Sequence, residues 1–569
     1  MTRRVRLLAG AGIAVMTAGL VGASLVPAGA ETAQAETAET ATGVVFEDLD
    51  RDGSRDDGEP GVEGVPVSNG LDVVLTDAQG RYSLAVDDQT IIFVSKPAGW
   101  MVPVNDVQLP QFYYTHYPNG TPYELRYGGL EPTGPLPSSV DFPLHRDDSA
   151  DETFTALAFA DPQTRNVGEI EDLAVDVIAG IVGHTDATFG LTVGDIVNDP
   201  LDLFAPHNEA VARIGIPWWN TPGNHDQDYD APTDENATDT YKATFGPTDY
   251  SFDYGRVHFV LMDNVEHAGP GHGYRGYLSA EQLQWLENDL RHVPEDKLVV
   301  IGTHIPLATD ATASTGVNTV NVAELFELLE TREHIYTIAG HDTSNSWQMY
   351  LGPERGWFGP GAFHHQVLAE VRGGGWTTGP TDERGVQAAD MADGNPNGHY
   401  EIEFDGTTYT PSFKPASLPE DYQIRLTFDG GWGDEVRVPG GPSGSAGFAP
   451  GDVRFHARDW IGGNVPRPAV TANVFDGGER HSVEISVDGG PFVPMTHLEP
   501  ANDPYISVLR STLSGSERPP APEPSSHLWS SQLPRGLRVG EHTVTVRSTD
   551  PHDQVSETSS TFEVIPGRP

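Results

Sequence analysis

The feature that most constrains this chain is an alternation between residues 153 and 350. Apolar runs with strand character alternate with stretches whose apolar residues recur at helical spacing. The runs include 155–160 (TALAFA), 188–193 (TFGLTV), 257–262 (VHFVLM), 297–302 (KLVVIG) and 334–339 (HIYTIA), and the helical patterns include 169–183, 280–293 and 321–332. Such alternation predicts an α/β layered domain. Polar clusters follow five of the apolar segments: Asp161 with Gln163, Asp195, the run GNHD at 223–226, His304 and His341. In open α/β sheets, ligands bind beyond the carboxyl ends of the strands. Asp, Asn, Gln and His gathered at that edge describe a hydrolytic metal site.

The flanks differ. Residues 43–148 are short strands punctuated by Gly and Pro and predict a β-sandwich. Residues 361–569 return to strands and turns and predict a β-rich accessory domain, so the α/β domain is bounded at 149–360. The fold class expected is therefore multidomain α/β plus β. A chain of 569 residues is too long for one hydrophobic core, in keeping with several domains.

Met1–Ala30 reads as a signal peptide: Arg3, Arg4 and Arg6, then an apolar stretch, then Ala28-Gly29-Ala30 before Glu31. Residues 31–42 (ETAQAETAETAT) read as a linker. The expected location is extracellular, and no later stretch is long and apolar enough to span a bilayer. A formal charge of −50 repels polyanions, which argues against a nucleic-acid partner. It still admits a small phosphorylated substrate where bound cations reverse the local field. The absence of cysteine excludes disulfides, Cys-ligated zinc and iron–sulfur clusters.

The ordered set D-P-Q (161–163), G-D (194–195), G-N-H-D (223–226), H (304) and G-H-D-T (340–343) resembles the calcineurin-like metallophosphoesterases. The flanking segments look like the accessory domains of an exported, multidomain branch of that superfamily. The resemblance implies hydrolysis of phosphate mono- or diesters at two divalent ions (Mn, Fe, Zn or Mg). Asp195 would bridge both ions; Asn224, His304 and His341 would complete one position, and Asp161 and Gln163 the other. His225 would be the general acid, with Asp226 fixing its tautomer and Asn198 nearby. Two departures fall on one ion. Gln163 stands where the family pattern has His, and Thr343 replaces the second His of GHxH. That position, held by oxygen donors, is expected to bind more weakly and to favour Mn²⁺, Mg²⁺, Ca²⁺ or Fe²⁺ over Zn²⁺. His364 or His365 either replaces the lost ligand or simply occupies a strand beside the site. A catalytically reduced relative serving as an extracellular binding module is the alternative reading.

Asp48, Asp50, Asp52, Asp56 and Glu59 stand at EF-hand loop spacing around Gly53 and form a candidate structural calcium loop, without the flanking helices. Trp218 and Trp219 are expected at a buried strand. Tyr113, Tyr114, His116 and Tyr117 are expected in domain packing. There is no G-x-S-x-G elbow and no P-loop.

Overall fold

Two sheets at the centre of the molecule carry the parallel strands that the apolar runs predict. The computed structural model describes residues 39–147, 152–310, 317–429, 453–456, 468–498 and 500–566; the leader 1–30 and residues 31–38 of the linker lie outside them. In the first central sheet, Thr153–Phe159 pairs in parallel with Phe189–Val193, which pairs in parallel with Trp218–Thr221. On its other side Thr153–Phe159 pairs antiparallel with Gly398–Asp405, and that strand with Thr408–Pro415. The second sheet runs Tyr250–Tyr254, Val257–Met262, Leu298–Thr303, Ile335–Ala339, Phe363–Val367, Trp347–Leu351, with its four inner strands parallel.

Three of those inner strands, Val257–Met262, Leu298–Thr303 and Ile335–Ala339, are buried at every residue. This explains why they read as continuous apolar runs rather than as alternating ones. The sheets face each other across an aromatic core. Phe189 lies 5.2 Å from Phe259, and Trp219 stacks on Phe252 at 4.1 Å. On the outer faces, Leu157 and Phe159 pack against Ile170, Leu173 and Val177, while Trp285, Leu286, Leu325 and Phe326 cover the second sheet. Helix Ala280–Leu290 starts on a capping box: the Ser279 hydroxyl accepts from Gln282 N–H, and the Gln282 side chain accepts from Ser279 N–H. The layers are thus α/β/β/α.

The boundary expected at 360/361 does not hold. Phe363–Val367, Gly398–Asp405 and Thr408–Pro415 are strands of the central sheets, so the central body extends to Pro415. Two four-stranded sheets form the N-terminal part. Their first strand, Glu39–Glu47, starts inside the stretch expected to be linker, because Glu39–Val44 pairs with Arg81–Val86 and buries Ala41. Phe112 packs on Trp219 at 5.1 Å and on Tyr250 at 4.9 Å, fastening this part to the centre. Trp218 and Trp219 are buried in their strand, as expected.

The C-terminal part packs sheets around Phe428, Val470, Trp529, Val546 and Phe562. It also carries a helix, Pro504–Thr512, whose N-terminus is capped by the Asp503 carboxylate accepting from Ile506 N–H at 2.9 Å. Among the described residues no helix is long and apolar enough to cross a membrane.

Candidate metal centre

Each predicted ligand sits at or just past the carboxyl end of a parallel strand. Asp161 and Gln163 follow Thr153–Phe159, Asp195 follows Phe189–Val193, and Asn224 follows Trp218–Thr221. His304 follows Leu298–Thr303, and His341 follows Ile335–Ala339. The turns are abrupt. Asp161, Gln163, Asp195 and His341 have φ of +48°, +44°, +50° and +70°. Each such conformation costs a non-glycine residue on the order of 1–3 kcal/mol, which the surrounding packing must outweigh. Two glycines permit the close approach. A Cβ at Gly194 would lie 2.5 Å from His304 Nδ1, and one at Gly223 would lie 2.2 Å from Asp195 Oδ1.

Four ligand side chains converge. The His304 ring donates from Nδ1 to the Val193 carbonyl at 2.9 Å, which turns Nε2 inward. That nitrogen lies 3.2 Å from Asn224 Oδ1, 3.2 Å from Asp195 Oδ1 and 3.2 Å from His341 Nδ1. Atoms that ligate one ion at ~2.0–2.2 Å are separated from each other by roughly 3.0–3.4 Å. Potential ligand atoms gathered at this spacing suit a shared cation. Burial works against charge here, yet Asp195 is held well below the usual carboxylate range by His304 and His225, and His304 is raised in turn by Asp195.

The Asp161 side differs. Asp161 Oδ2 accepts from His341 N–H at 2.9 Å, while Asp161 Oδ1 and Gln163 Oε1 are buried without a hydrogen-bond partner. The Gln163 amide donates to Asp195 Oδ2 at 2.5 Å. Burial, with the Asp195 charge adding to it, pushes the Asp161 carboxyl up to about 7 against the pull of His304. Two buried oxygens with nothing to bind make this side, too, a fit for a cation.

His225 borders the centre. Its ring is 28% exposed, with Nε2 3.9 Å from Asp195 Oδ2. Its Nδ1 pairs with Asp199 Oδ1 at 2.6 Å. Asp226, expected to orient this ring, instead accepts from the N–H groups of Ile196 (3.0 Å), Val197 (3.1 Å) and Gly223 (2.8 Å), tying the two loops together. Asp195 and Asp199 raise His225 above an ordinary imidazole despite its burial. Asn198 lies beside this loop, its N–H donating to the Thr164 carbonyl.

Residues 49–128 match the family model described as the N terminal of Calcineurin-like phosphoesterase, and residues 371–555 match the one described as its C terminal. Both matches support the metallophosphoesterase superfamily. That superfamily supports a metal-dependent hydrolase acting on phosphate esters. Among solved structures it is similar to purple acid phosphatase PPD1 from yellow lupin (Lupinus luteus) seeds, at 11% identity and a TM-score of 0.35, over 66% of this chain and 67% of that one. It is also similar to CopC from Methylosinus trichosporium OB3b, at 17% identity and a TM-score of 0.11, over 18% of this chain and 80% of that one. No curated protein matches it.

The departures from the superfamily pattern have a local context. Thr343 sits in the loop after His341, its N–H donating to the His341 carbonyl. His365 does not replace the missing ligand: its Nε2 accepts from Leu307 N–H at 3.2 Å and its Nδ1 pairs with Thr337 Oγ1 at 2.8 Å. His364 is engaged by Gln348 and Tyr409. Both occupy the strand Phe363–Val367. The loop after His341 is fixed by residues distant in sequence. Asp393 Oδ2 accepts from Ser346 N–H and pairs with His527 Nε2, and the Ser526 hydroxyl donates to the Ser346 carbonyl.

The acidic loop is compact. Asp48, Asp50 and Glu59 bring carboxylate oxygens together, as do Asp50, Asp52 and Asp56. Asp48 accepts from Arg51 and Gly53 N–H, Glu59 from Leu49 and Asp56 N–H, and Asp52 from Ser54 N–H. Of the aromatic run, Tyr113, Tyr114 and His116 lie in the strand Tyr113–His116, and Tyr117 is buried directly after it.

Proposed function

We propose that this chain is an exported phosphoesterase that hydrolyses small phosphate mono- or diesters with water, using two divalent ions (Mn, Fe, Zn or Mg). The convergence of Asp195, Asn224, His304 and His341 around one point carries the reading. Those four residues would hold one ion, and Asp161, Gln163 and Asp195 the other. When bound, the ions supply an acidified water and offset the charge on the phosphoryl oxygens.

The protein's own groups do the rest. Asp199 accepts the Nδ1 proton of His225 and so fixes its tautomer. Nε2 of His225 then delivers a proton to the leaving oxygen. Asp226 keeps the Asp195 loop and the Asn224 turn in register. The Tyr229 hydroxyl donates to the Asn224 carbonyl at 2.7 Å, bracing that turn from outside. The apolar leader with Arg3, Arg4 and Arg6 supports export. The acidic loop around Gly53 supports a structural calcium ion in the N-terminal part.

The test is hydrolysis of paired chromogenic phosphate mono- and diesters by the mature chain, first stripped of metal and then supplied with Mn²⁺, Fe²⁺, Zn²⁺ or Mg²⁺. Metal-dependent turnover is expected, and the preferred ester names the substrate class. Absence of turnover with both ions measured in place would overturn the reading in favour of a binding module.

A further inference from the structure

The segment after Phe363–Val367 runs alongside the metal-bearing turn. Val371 N–H donates to the Ala160 carbonyl at 2.8 Å, and Arg372 N–H donates to the Asp161 carbonyl at 3.3 Å. The indole N–H of Trp376 donates to the Pro162 carbonyl at 2.7 Å, closing the loop over the same turn. This places an arginine against the Asp161 side of the centre.

The side chain of Arg372 is braced. Glu370, fully buried, accepts from Arg372 Nε at 3.0 Å. Among the described residues the guanidinium makes no other hydrogen bond, and 19% of the side chain is exposed. One edge of the planar fork is thus fixed by a buried carboxylate, while the terminal N–H groups stay available. An arginine held this way has given up its rotamer freedom before any ligand arrives. Its geometry matches the paired oxygens of a phosphoryl group.

We propose that Arg372, braced by Glu370, is a substrate-binding residue that grips a phosphoryl oxygen from the Asp161 side of the centre. The proposal rests on the phosphoesterase reading above. Glu370 is then a positioning residue that acts through Arg372. The competing account is purely structural, with Arg372 serving only to neutralise buried Glu370.

The experiment uses the full mature chain loaded with Mn²⁺, with inorganic phosphate as the probe. Calorimetry measures phosphate binding in the wild type, Arg372→Lys, Arg372→Met and the double variant Glu370→Gln/Arg372→Met, which removes the carboxylate that a lone Arg372→Met would strand. Metal content and melting are followed in parallel. Loss of one charge-assisted contact is expected to weaken phosphate about 10- to 100-fold in the Met variants and less in Lys, with metal content unchanged. KM for the chromogenic ester is expected to rise in step, with a smaller change in kcat. Phosphate affinity within about twofold of wild type in the double variant would overturn the proposal. The calorimetric arm does not depend on turnover. If the wild type binds phosphate yet hydrolyses nothing, the catalytic reading fails while Arg372 is still decided.

Discussion

Two groups of acidic residues in this molecule look alike in sequence and differ in kind. In the loop Asp48–Glu59, the carboxylates of Asp48, Asp52 and Glu59 each accept backbone N–H groups from the loop itself. In the central site, His304 Nε2 lies 3.2 Å from both Asp195 Oδ1 and Asn224 Oδ1, and Asp161 Oδ1 and Gln163 Oε1 meet no donor. The first arrangement holds its own shape and gains from a cation. The second leaves two buried acceptors unmatched and is suited to one. The number of acids therefore says less about a metal centre than the balance of donors and acceptors does.

The contrast can be broken most sharply at Asp195. Asp195→Asn is expected to abolish ester hydrolysis and to lower the bound metal measured by elemental analysis. An active, fully loaded variant would refute the shared-cation geometry. Next in size is His225→Ala, expected to lower kcat by roughly 10²–10⁴ with metal content intact, as befits a proton donor outside the ligand set. Asp199→Ala should follow it in the same assay with a smaller loss, about tenfold, and with unchanged melting, because Asp199 is 50% exposed.

Asp226→Ala acts on the fold. It strands three buried N–H groups, each worth on the order of 1–3 kcal/mol, so its melting midpoint should fall by many degrees. A Tm equal to that of the wild type would return Asp226 to the role the sequence suggested. The smallest effect belongs to the loop. Glu59→Gln should leave turnover unchanged and lower Tm slightly, and added Ca²⁺ should raise Tm in the wild type but not in this variant. Equal responses to Ca²⁺ would remove the calcium ion from the account.

The residues gathered at the candidate centre were legible in sequence because each sits at a strand end, and strand ends are marked by where an apolar run stops. The partner of His225 was not. In the short turn Asn224–Asp226, successive side chains point about 120° apart. His225 therefore faces outward to Asp199 while its neighbour Asp226 faces the loops. Nothing local in GDIVNDP announces that Asp199 folds back onto the ring. The boundary at 360 failed for a related reason. Gly398–Asp405 and Thr408–Pro415 form an ordinary hairpin, and a hairpin carries no mark of the sheet it joins; only the pairing of Tyr400 with Ala158 assigns it. Helix Pro504–Thr512 was visible in principle, through Asp503 as cap and the spacing of Tyr505, Ile506 and Leu509, but was hidden among strands.

The strand Gly398–Asp405 lies beside Thr153–Phe159, the very strand that delivers Asp161. A gene fragment ending near codon 360 would therefore encode no free-standing minimal enzyme. It would bare the flank of that strand to other chains and drop Arg372, Trp376 and the Asp393 tether of the His341 loop. For anyone trimming or grafting this protein, the practical cut sites lie after Pro415, and even there the graft forfeits His527 and Ser526. Its catalytic unit is contiguous in space but spliced together from distant stretches of the reading frame.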